Sequence, residues 1–129
     1  MIIDSSAILA VLQGEPEARN FVRIIHESLT NAISVATLFE ASMITLSRRG
    51  EVGLEELAGF LARAGVQEIQ VSTEQGRLAL DAFRRFGRGR HPAALNVGDC
   101  FAYALARSRG EALLFKGDDF SATDVMVAA

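Results

Sequence analysis

The 129-residue sequence has no tryptophan, one tyrosine, two prolines and a single cysteine. Cys100 on its own excludes an intrachain disulfide and leaves no thiolate cluster for zinc or iron-sulfur. A reducing, cytoplasmic setting is expected. Long apolar runs are also missing: Met1-Ile2-Ile3 stops at Asp4, with no basic leader and no long apolar segment behind it. Neither a signal peptide nor a membrane span is expected. Lys116 is the only lysine, and the formal charge is -3. That balance excludes broad attraction to phosphate backbones, so any nucleic-acid contact has to come from a local cationic patch.

What is present is apolar content, 50% of the chain, enough for one sizeable core in a single domain over 1–129. Residues 1–4 read as a very short buried strand, followed by a helix over 7–12 that Ser5 or Ser6 is suited to cap. A helix from Glu15-Pro16-Glu17 to about Glu27 carries Phe21, Ile24 and Ile25 on one face, a candidate dimer surface, and 31–35 reads as a second strand. Ser34 is a cap for a helix ending at Gly50, with Val35, Leu38, Phe39, Ser42 and Leu46 on one stripe and Glu40 at its margin. A helix over 51–64, a strand over 67–71 and a helix over 73–86 follow. Asn96 caps a helix that is apolar on nearly every side, then come strands at 111–115 and 123–127. Strands separated by helices predict a three-layer α/β/α fold with a central, mainly parallel sheet. Ligands of such sheets gather beyond the carboxyl ends of the strands, where Asp4 and the Asp118-Asp119 pair would lie.

Asp99 stands at the third helical position after Asn96, where an acid favours the helix dipole. Its helical neighbours Ala102, Tyr103 and Ala106 offer no basic partner, and Glu40 likewise has none three or four positions away. Each acid has a plain structural reading: Asp4 as a helix cap, Glu40 as a solvated edge residue, Asp119 as a turn former. As a set without histidine or cysteine, they suit a hard divalent cation, Mg2+ or Mn2+.

The segments Met1-Ile2-Ile3-Asp4-Ser5-Ser6-Ala7, Ser34 to Glu40, Asn96 to Ala104 and Leu114 to Phe120 together resemble a PIN domain of the VapC type, across nearly the whole chain and in the family's order. The resemblance implies a ribonuclease toxin acting on RNA, neutralised by a cognate antitoxin and generally a homodimer. By matching position, Asp4, Glu40 and Asp99 take the family's three principal acidic places. Many relatives carry an acid where this chain has Gly117, so the fourth place falls to Asp119, with Asp118 as the alternative. Ser5 or Ser6 matches the hydroxyl that often follows the first acid and is expected to order Asp4 or a metal-bound water.

The expected mechanism is hydrolysis by metal-activated water, leaving 5'-phosphate and 3'-hydroxyl ends. Cys100, His26 and His91 are not expected to act as nucleophile or base. An acidic centre needs cations beside it to accept RNA, and Arg84, Arg85, Arg88 and Arg90 supply them in what reads as one basic, mobile loop. Phe86 and His91 are candidates to stack on unpaired bases, and Lys116 to pair with Asp118 or Asp119. Two other classes compete: a non-catalytic partner-binding module on the same fold, and a phosphatase with Asp4 as nucleophile. The second lacks the acid two residues beyond Asp4 that haloacid-dehalogenase-like phosphatases use.

Overall fold

The computed structural model describes residues 1–128; the last residue of the expected 1–129 domain lies outside the described residues. The strands β1 (Ile2–Ile3), β2 (Asn31–Ser34), β3 (Val66–Ile69) and β4 (Leu113–Leu114) form one parallel sheet in the order β3-β2-β1-β4. Successive strand residues point to opposite faces. Ile2, Ala32 and Leu113 therefore enter the core under α4 (Thr73–Phe86) and α5 (Val97–Arg109). Ile3, Ile33 and Leu114 enter the core under α1 (Ser5–Leu12), α2 (Ala18–Glu27) and the second arm of α3 (Val35–Arg63). The three-layer expectation is met.

Helix α3 is two arms joined at Gly50, whose φ of 65° and ψ of -157° lie outside helical geometry. Only a residue without a Cβ adopts that backbone readily, which is why Gly50 was a legible stop. The ion pair between Arg49 and Glu56 spans the bend.

Three expectations change. Of the expected stripe, Leu38 packs against the core, but the first arm of α3 otherwise buries Thr37, Ala41 and Thr45, while Val35, Phe39 and Leu46, together with Met43, are exposed. Small side chains fit where this arm packs against α1 and α5. The larger residues of the apolar stripe are left on the outside. Second, Phe21, Ile24 and Ile25 are core residues, so that face of α2 is not available to a partner. Third, 123–127 is not a strand. The chain passes through a 3-10 turn at Phe120–Ala122 and returns to β4 at one bridge, Leu113 with Val127. Strand β4 itself is shorter than 111–115, and the Glu111 side chain ahead of it accepts from the amino terminus at 2.7 Å.

Candidate metal centre

Asp4 leaves β1 and caps α1, as its plain structural reading had it, rather than Ser5 or Ser6. Its Oδ2 accepts from Ser6 N at 3.0 Å and from Ser6 Oγ at 2.6 Å. Ser6 Oγ also accepts from Lys116 N at 3.0 Å, which ties the end of β4 to the end of β1. The other oxygen, Asp4 Oδ1, is buried and has no hydrogen-bond partner. A buried acceptor left in that state is costly unless something outside the chain meets it.

Glu40, on the first arm of α3, is half-buried and accepts from Ser5 Oγ at 2.5 Å. Its carboxylate lies against Gly98, filling the space a side chain there would need. Asp99 completes a capping box at the start of α5: Asn96 N donates to Asp99 Oδ2 at 3.0 Å, and Asp99 N donates to Asn96 Oδ1 at 2.9 Å. The structural reading of Asp99 is thus correct, and it leaves Oδ1 outside the box. Asp119 opens the 3-10 turn, and Asp118 offers its carbonyl to Ser121 N; both side chains are exposed.

Electrostatics joins these residues. Burial pushes the Asp4 carboxyl up to about 7; the hydrogen bonds from Ser6 oppose this, and the charges of Asp99 and Glu40 add to it. Burial also lifts Asp99 to about 6, with the Asn96 amide opposing and Glu40 and Asp119 adding. Asp119, not Asp118, is the acid of that pair felt by Asp99. Among the described residues, the ion pairs of arginine, lysine and the amino terminus go to other acids, and none reaches Asp4, Glu40, Asp99 or Asp119. Mutually repelling carboxylates, one with an unsatisfied buried oxygen and no cationic partner, fit a hard divalent cation. Among the described residues no three His, Cys, Asp or Glu side chains are placed to hold one ion together as they stand. An open acidic site fits Mg2+, which keeps several waters and takes few carboxylates directly.

The cationic run is not one mobile loop. Arg84 and Arg85 belong to the last turn of α4. Beyond them, Arg88 N donates to Leu95 O at 3.0 Å and Leu95 N to Phe86 O at 2.9 Å, fixing the turn. Arg85 pairs with Asp124 at 3.1 Å and lies over the Phe86 ring at 4.6 Å. Arg90 Nε donates to Arg84 O at 3.2 Å, and Arg88 is exposed without an ion pair among the described residues. Phe86 is buried against Tyr103 and His91, so it cannot stack on a base. His91 Nδ1 accepts from Ala93 N at 3.0 Å. Lys116 pairs with Glu15 at 2.9 Å and Glu17 at 3.4 Å rather than with Asp118 or Asp119. Cys100 is buried and its thiol is pushed up to about 11 by burial, which makes it inert.

Sequence reasoning missed Gly98. The signal was a glycine in the first turn of a helix, immediately before an acid, where alanine would favour the helix.

Three comparisons bear on this arrangement. The PIN domain family model matches residues 1–126. A VapC ribonuclease of Mycobacterium bovis is 42% identical over 129 residues, covering 100% of this chain and 98% of the relative. A Ribonuclease VapC of Mycolicibacterium smegmatis is 44% identical over 125 residues, 97% of each. Among solved structures, Mycobacterium tuberculosis VapC20 superposes with a TM-score of 0.78 at 18% identity, covering 97% of this chain and 95% of that one. A toxin-antitoxin complex from Klebsiella pneumoniae gives a TM-score of 0.72 at 17% identity, covering 98% and 94%. From its first strand to its last bridge, this chain belongs to the PIN domain family, among the VapC-type members.

Proposed function

We propose that this chain is a Mg2+- or Mn2+-dependent endoribonuclease, the toxin of a toxin-antitoxin pair, working in the cytoplasm as one domain. The observation that carries the reading is the buried, partnerless Asp4 Oδ1 facing a group of acids with no cation of their own. The VapC relatives at 42% and 44% identity are named as ribonucleases, which supports RNA as the substrate.

Asp4, Asp99 and Glu40 would hold the ion, with Asp119 as the fourth acid and Asp118 as its alternative. Bound there, a divalent ion supplies an activated water and offsets the phosphate charge during in-line attack. Ser6 fixes the orientation of Asp4, and Ser5 that of Glu40. Arg88 and Arg90 lead the RNA backbone to this edge, with Arg84 beside them. Arg85 keeps Asp124 and contributes less. The partners are a cognate antitoxin, which the toxin-antitoxin complexes among the structural neighbours support, and a second copy of the chain. The exposed stripe Val35, Phe39, Met43 and Leu46 suits that second copy, since a two-fold contact needs only one patch able to meet itself.

The test is sequencing of RNA 5' ends after brief expression of the parent and of Asp99→Asn. Discrete new 5'-phosphate ends are expected with the parent alone; identical ends from both proteins would remove Asp99 from the site. A partner-binding module without catalysis is separated by melting the purified protein with Mn2+ and with EDTA. The catalytic reading expects Mn2+ to raise Tm.

A further inference from the structure

We infer that Gly98 is a positioning residue: its missing side chain is the seat of the Glu40 carboxylate, and the Ser5 hydroxyl latches the carboxylate there. The inference rests on the metal reading above for its consequence, but not for its geometry.

A Cβ built on Gly98 would meet both carboxylate oxygens and the carboxyl carbon of Glu40 far inside van der Waals contact. Apart from its chain neighbours and its own helix backbone, the three nearest atoms all belong to the Glu40 carboxylate. Gly98 is buried and is not among the positive-φ residues, so its backbone does not require glycine. It lies between the cap Asn96 and Asp99 in the first turn of α5, where alanine would favour the helix over glycine. Helix propensity therefore argues against glycine, and the position of Glu40 argues for it. Ser5 Oγ, donating at 2.5 Å, holds the carboxylate from the α1 side. Glu40 thus reaches the site from α3 by lying between α1 and α5, and it does so only while position 98 is bare. A methyl group there pushes the carboxylate off Ser5 and away from Asp4 and Asp99, leaving the acid in the chain but out of the site.

The test compares the parent, Gly98→Ala, Glu40→Ala and the double variant for Mn2+ affinity by calorimetry. Gly98→Ala is expected to weaken Mn2+ binding about tenfold or more, the size of effect seen when a group that orients a ligand is lost. In the Glu40→Ala background the same change is expected to do nothing further, because the carboxylate it displaces is gone. Parent-like affinity in Gly98→Ala, or an equal loss in both backgrounds, overturns the inference. A metal-free arm keeps it separable from the metal reading: Ser5→Ala should lower Tm in EDTA for the parent and leave Gly98→Ala unchanged, since the latch is already open. An equal drop in both overturns the geometry whatever Mn2+ does. A parent that binds no Mn2+ overturns the metal reading, and the EDTA arm then decides the seat alone.

Discussion

Asp4 spends folding free energy on a buried charge that the chain does not neutralise. Its burial pushes the carboxyl from 3.8 up to about 7, so between those values the folded chain binds more protons than the unfolded one. Stability then falls as pH rises through that window. Asp99, lifted to about 6, acts in the same direction over the lower part of it. Glu111 and Asp124, whose carboxyls are held below their ordinary values, matter only in more acidic solution. The expected result is a Tm in EDTA that declines from mildly acidic to neutral pH. Asp4→Asn should flatten that decline and raise metal-free stability near neutrality by on the order of 1–3 kcal/mol, while abolishing the rise in Tm with Mn2+. A Tm in EDTA lower than the parent's would show that the charge is not the cost. Asp4, Glu40 and Asp99 were legible in the sequence because each is an acid beside apolar residues with no basic residue one turn away. The capping role of Asp4 was among its plain readings; the role of Gly98 was not legible, because it depends on where a carboxylate goes in space rather than on spacing.

Helices are where periodicity misled. The pattern Val35, Leu38, Phe39, Ser42, Leu46 has helical spacing, and spacing alone does not say which members face inward: Leu38 does, while Val35, Phe39 and Leu46 are exposed. The neighbours decide: packing against α1 and α5 leaves room only for Thr37, Ala41 and Thr45. If the outward stripe is where two copies meet, Phe39→Glu should yield a monomer by sedimentation, with a change in the unfolding free energy of each protomer within about 0.5 kcal/mol. An unchanged dimer would move the interface elsewhere. A second tie joins α4, α5 and the segment after the 3-10 turn. Tyr103, almost fully buried, donates to Asp124 Oδ1 at 2.6 Å, and Asp124 also holds Arg85 and Arg107. Tyr103→Phe keeps the ring and loses the hydroxyl, so denaturant melts should show a loss of about 1–2 kcal/mol. These partners lie 21 and 39 positions apart in sequence, beyond the reach of any local pattern.

At the scale of the whole molecule the charge is arranged against its own substrate. A chain of formal charge -3, with its acids gathered at one sheet edge, repels RNA at long range. The order of elements and the parallel sheet were legible from alternating strands and helices, and so was the need for a cationic patch. The membership of that patch was not, since Arg85 is engaged by Asp124 and Lys116 by Glu15 and Glu17. Arg84, Arg88 and Arg90 remain, the last two on a turn that backbone hydrogen bonds to Leu95 and Gly87 hold. Each phosphate contact on a single strand contributes a slope of about -0.7 to log affinity against log salt. Arg88→Ala with Arg90→Ala should therefore weaken binding of a catalytically dead Asp99→Asn protein to RNA at low salt and flatten that slope by about 1–1.5. Arg85→Ala should change the slope little and lower Tm instead, because its charge already serves Asp124. The reverse pattern, with Arg85 setting the slope, would place the RNA path over α4 rather than over the turn that follows it.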